Sequence, residues 1–179
     1  MRIARMCCGI MLVMAVWLSG CENNPQAVGH EIEHSAAFTR LGAGHVDGLA
    51  KEVVQATSRF SSTTQATMAG YEEASPCVAV PGLGGMGFHW VNNAGVDPVF
   101  NPLQPEAVLY APRENGQLEL VAVEYIVIDV GQPAPTFDGH PFDVGGTPVP
   151  VAHWSLHVWA HRENPNGLFT PFNPSVTCP

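Results

Sequence analysis

Three histidines and one glutamate, His89, His140, His157 and Glu124, are the side chains of this sequence best suited to hold a metal ion or do proton chemistry. Glu124 lies in the run "LELVAVEYIVID" (118–129), where the two-residue period of a strand sets it in one row with Leu118, Leu120, Ala122, Ile126 and Ile128. Val121, Val123, Tyr125 and Val127 form the opposite row, and a strand apolar on both faces belongs in the middle of a covered sheet. A carboxyl placed there has to be paired, metal-bound or protonated. In "AHWSLHVWAH" (152–161), His153, Ser155, His157, Trp159 and His161 share a face. At ~3.3 Å per residue along a strand, His153 and His157 stand about 13 Å apart and cannot share one ion. A mononuclear site therefore draws one ligand from each element: His157, His89 from "GFHWVN", His140 from "GHPF", and Glu124. Such a set suits Zn, Mn, Fe or Cu. Two plainer alternatives stay open: Glu124 satisfied by a backbone donor or by Arg113 or Arg162, and each histidine hydrogen-bonded to a loop.

A second pattern is "HEIEH" (30–34), which has the H-E-x-x-H spacing of zinc peptidases, two imidazoles on one helical face with a glutamate as base. That chemistry needs a helix inside a folded domain. No folded element is expected before His30, so the pattern reads as fortuitous, and His30, His34 and His45 are expected to do no more than scavenge metal weakly from a tail. The glycine-rich "PGLGGMGFHW" has no strand-glycine-helix context for a dinucleotide, and no G-x-S-x-G nucleophile motif occurs. Gly82, Gly84, Gly85 and Gly87 instead let the backbone approach something closely, whether a ligand, a metal loop or a neighbouring chain.

The compartment follows from the N-terminus. Arg2 and Arg5 precede an apolar stretch, Met6 to Trp17, too short for an ordinary membrane span and right for an export signal. The residues "LSGC" that follow resemble the lipobox of bacterial lipoproteins, which implies cleavage before Cys21 and acylation of that cysteine, with 1–20 as signal peptide. Glu22 in second place favours the outer membrane over the inner. Of the 179 residues, the 20 of the signal leave 159, and the loss of Arg2 and Arg5 takes the net charge from −9 to −11. So acidic a chain is unsuited to nucleic acid or to electrostatic adhesion on anionic lipid, and the acyl chains would have to anchor it. Cys7 and Cys8 leave with the signal, so Cys77 and Cys178 are expected to be bridged in an oxidising compartment.

Residues 21–46 are small, polar and aperiodic, as suits a tether. A single globular domain is expected over 47–179. In it, Leu49, Val53, Ala56, Phe60, Thr63 or Thr64, Thr67 and Tyr71 recur at helical spacing, which predicts one amphipathic helix ending near Gly70, with Ser61–Thr64 weak enough to allow a break. After Pro76 the grammar turns to strands at 86–92, 107–112, 118–129 and 152–161, with a hairpin turn at Asn115-Gly116 and a wandering surface loop over 130–151. The fold class expected is α+β, an N-terminal helix packed on one mainly antiparallel sheet with long Pro/Gly-rich loops.

The ligand types resemble the metal shell of cupins, although the cupin spacing is absent. A broader resemblance is carried by "SPCVAVPGLGGMGFHWVN", "LVAVEYIV", "GHPFD" and "LHVWAHRENPNGLFTPFNPSVTCP", which are similar to segments of a family of exported bacterial proteins, secreted or lipid-anchored. It covers roughly residues 57–179, implies that His89, Glu124, His140 and His157 belong to a shared pattern that leaves out "HEIEH", and supplies no reaction. The expectation is a lipid-anchored envelope protein binding a small ligand or metal ion through its His/Glu cluster. A metal-dependent oxygenase or hydrolase and a structural or protein-interaction module are the alternatives.

Overall fold

The structure is a computed structural model and describes residues 48–179. The expected signal peptide, the expected lipidation site Cys21, "HEIEH" and the expected tether lie outside the described residues. Helix α1 (48–57) passes into a 3-10 turn (Ser58–Ser61), Ser62 is extended, and helix α2 (Thr63–Met68) follows. The single helix predicted over this stretch is thus split in two at the weak Ser/Thr run. The split shifts the helical phase, so Ala66 rather than Thr67 turns inward, beside Val53, Phe60 and Tyr71. Gly70, at φ +93°, takes the left-handed conformation that ends α2. Among the described residues no helix is long and apolar enough to cross a membrane.

The rest is a mainly antiparallel sheet. Its strands are β1 (Glu72–Glu73), β2 (Val78–Val80), β3 (Gly84–Val91), β4 (Ala107–Pro112), β5 (Leu118–Ile128), β8 (Asp143–Val144) and β9 (His153–Val158), while β6 (Thr136–Phe137) and β7 (His140–Pro141) pair apart as a small ribbon. The order across the sheet is β1-β3-β4-β5-β9-β8, and β2 shares with β1 the outer edge of β3. The turn at Asn115-Gly116 joins β4 to β5, with Gly116 at φ +77° and Arg113 and Gln117 paired across it. The stretch 130–151, expected to wander, carries β6, β7 and β8, and β8 pairs with β9 through Asp143↔Ser155.

Central β5 is buried on both faces. One face packs Val123, Tyr125 and Val127 with Val108, Tyr110, Phe60 and Val53, which fastens the helical segment to the sheet. The other carries Ala122 and Ile126 with Ala107, Leu109 and Val91, joined by Val149 from the long loop and Val176 from the C-terminal segment. The simple alternation expected along β5 fails at one point. Leu109 faces Ala122 but Tyr110 faces Leu120, so Val121 is an extra residue, a bulge. The bulge puts Leu118 and Leu120 on the helix-covered face and Val121 on the other.

The glycine-rich stretch approaches the protein's own chain. A Cβ on Gly84 would lie 2.2 Å from the Asn173 carbonyl oxygen, one on Gly87 2.3 Å from that of Tyr110, and Gly85 exchanges backbone hydrogen bonds with Asn173. Nearby, Cys77 and Cys178 form a disulfide with a Cα–Cα distance of 5.6 Å.

Candidate metal centre

Register assembles the site. Val91 of β3, Ala107 of β4, Glu124 of β5 and His157 of β9 are partners in one row across the sheet. Glu124 and His157 are therefore direct cross-strand neighbours, with side chains on the same face. His89, two residues before Val91 on β3, joins that face. Strands β3 and β5 are two spacings apart, roughly 10 Å, and the side chains that meet over β4 are long while Ala107 beneath them is a single methyl. The Nε2 of His89 lies 3.7 Å from Oε2 of Glu124, the Nε2 of His157 lies 3.9 Å from Oε1, and the imidazole planes are nearly perpendicular with centroids 5.9 Å apart. One ligand atom from each of the three residues falls within 4.8 Å of the others.

This cluster is sealed. Side-chain exposure is 1% for His89, 2% for Glu124 and 6% for His157, and among the described residues the main surface clefts, along the helical segment, the strand edges and the C-terminus, are lined by other side chains. Burial penalises charge. It pushes the Glu124 carboxyl up to about 8, against the Ser155 hydroxyl, which pulls down, and with the charge of Glu106 pushing further up. It pulls His89 down to about 4, and His157 down to about 3 with His89 contributing. Although the separations fall within ion-pair range, near neutral pH the acid is protonated and both imidazoles are neutral. The separations are also too long for hydrogen bonds. The His89 Nε2, His157 Nε2 and Glu124 Oε2 atoms are buried with no hydrogen-bond partner among the described residues. An unmet buried polar atom costs about 1–3 kcal/mol, so three converging on one point are unusual.

The donor set fits a first-row divalent ion. Bonds of ~2.0–2.2 Å in tetrahedral geometry put ligand atoms roughly 3.3 Å apart, a little closer than the His–Glu separations of 3.7 and 3.9 Å and well inside the 4.8 Å that spans all three ligand atoms. Of the four residues named from sequence, His140 does not join. It is exposed on β7 and stacks on Phe169 at 4.7 Å between centroids, in the ribbon apart from the main sheet. Neither Arg113 nor Arg162 reaches Glu124; both pair with Glu119. His153 points its Nδ1 at the Val151 carbonyl, 2.7 Å away, and His161 meets the Thr57 hydroxyl at 2.8 Å.

Two groups escaped the sequence. Ser75, between β1 and β2, sets its hydroxyl 3.0 Å from Nδ1 of His89. Glu106, 3% exposed, accepts a hydrogen bond from the Ile126 amide, and burial is the main cause that lifts it to about 7. Glu106 left no local signal, because it reaches the Ile126 amide only through the pairing of β4 with β5, two strands whose register is not written in local composition. No protein-family model matches the chain, and neither a curated protein nor a solved structure does.

Proposed function

We propose that this is an exported, lipid-anchored protein of the bacterial cell envelope whose α+β domain holds one divalent first-row transition ion through His89, Glu124 and His157. The observation that carries it is the convergence, from three different strands, of three buried ligand atoms that have no partner among the described residues. Imidazole and carboxylate together favour Zn²⁺ and its neighbours in the series. Three protein ligands leave a coordination position over, as catalytic zinc sites do. The burial of all three side chains favours a retained ion over one that meets substrate. To become a ligand Glu124 must give up its proton, so affinity should climb with pH toward about 8. Membrane attachment rests on the "LSGC" resemblance alone and is tested separately, by loss of the membrane-bound fraction in Cys21→Ser.

The test is elemental analysis with Zn²⁺ or Co²⁺ titration of the purified protein, together with His157→Ala and His140→Ala. One equivalent of metal is expected, lost in His157→Ala and kept in His140→Ala. A folded wild type that takes up no stoichiometric metal would overturn the proposal, and equal loss in both variants would move the site elsewhere.

A further inference from the structure

The segment Ser75-Pro76-Cys77 interrupts the outer edge of the sheet. Before it, Glu72 and Glu73 of β1 pair with Val91 and Trp90, and the Ala74 amide donates to the His89 carbonyl at 2.8 Å; after it, Val78 of β2 pairs with Gly87. Pairing therefore lapses beside His89 itself, and the Ser75 side chain fills the gap. Its oxygen accepts from the His89 backbone amide at 3.3 Å, sits 3.0 Å from Nδ1 of the same residue, and its hydroxyl donates to the Pro76 carbonyl at 2.9 Å. A serine hydroxyl has one proton and two lone pairs. With the proton directed to Pro76, both lone pairs are taken by donors, and one of those donors is Nδ1–H.

We infer that Ser75 is a positioning residue that locks His89 as the Nδ1–H tautomer and so presents the Nε2 lone pair to Glu124 and His157. The opposite arrangement, Ser75 donating to Nδ1, would forfeit the bond to Pro76 and put an N–H on Nε2, a buried atom that has no hydrogen-bond partner among the described residues. Buried N–H groups without acceptors are rarer than under-satisfied acceptors. This inference deepens the metal reading, because a histidine that binds metal through one nitrogen is commonly oriented by a hydrogen bond at the other. Ser75 is itself buried, and the disulfide at Cys77 tethers the segment two residues on, so the hydroxyl is held in place.

Two measurements separate the inference from the reading beneath it. Imidazole ¹⁵N shifts of the metal-free protein at pH 7 should show the His89 ring with its proton on Nδ1 in the wild type and Ser75→Thr, and on Nε2 or divided between the nitrogens in Ser75→Ala. Co²⁺ titration followed by its visible spectrum should show affinity falling 10- to 100-fold in Ser75→Ala, the usual cost of removing an orienting partner, and recovering in Ser75→Thr. A wild type with the proton on Nε2, or Ser75→Ala with an unchanged tautomer, would overturn the role of Ser75. Should the wild type bind no Co²⁺ while the tautomers behave as stated, the metal reading fails and the positioning role stands. Should Ser75→Ala fail to fold, the wild-type tautomer still decides.

Discussion

At the scale of the residue, Glu106 offers the cleanest pH experiment, since it is buried and is no ligand of the candidate centre. Folding lifts its pKa from an ordinary 4.5 to about 7, so the folded protein keeps a proton that the unfolded chain releases between those values. Its contribution is complete below the unfolded value and is lost as pH climbs through the folded one, a span on the order of 3 kcal/mol. His89 and His157, depressed by burial, work in the other direction between their folded values and an ordinary 6.5, so the wild-type profile is a sum of opposing slopes. Glu106→Gln keeps the acceptor for the Ile126 amide and removes only the titration. The variant should melt several degrees above wild type at pH 8, with the gap closing toward pH 5; a gap independent of pH would show that titration of Glu106 is not what shapes the curve.

Among the elements, Gly82 and Gly84 separate backbone conformation from contact. Both have positive φ, +84° and +97°, but a Cβ on Gly82 would meet nothing within 4 Å while one on Gly84 would strike the Asn173 carbonyl. Urea unfolding of Gly82→Ala should show a loss of about 1–2 kcal/mol, and Gly84→Ala at least about 3 kcal/mol as the C-terminal segment is displaced. Equal losses would mean that the segment yields without cost. The four main strands were legible because each is a β-rich run bounded by Gly or Pro, and Glu124 was legible as a lone carboxyl in an apolar row. The bulge at Val121 was not, because an extra residue leaves no mark in a strand apolar on both faces. Strands β1, β2 and β6 to β8 are two or three residues long, too short for a period, which is also why His140 could not be placed. That Glu124 faces His157, and not another residue of β9, depends on register between strands distant in sequence, and local composition carries no record of it.

For the whole molecule, the covalent link is the decisive feature. Cys77 and Cys178 are 101 residues apart, and on the chain-entropy model a loop of that size is worth about 4–5 kcal/mol. Guanidinium unfolding with and without reductant should differ by roughly that amount. The same bond makes the segment from Cys77 to Cys178 a covalently closed circle that contains β2 to β9 and all three residues of the candidate centre. A circle opened at one point is still one molecule. The largely exposed stretch between Asp129 and Ala152 is the natural place for a protease to cut. After a single cut there, β5 and β9 should stay attached through the sulfurs, the protein running as one band on a non-reducing gel and as two once reduced. If the domain is exported, as proposed, a broken backbone would then be a survivable injury.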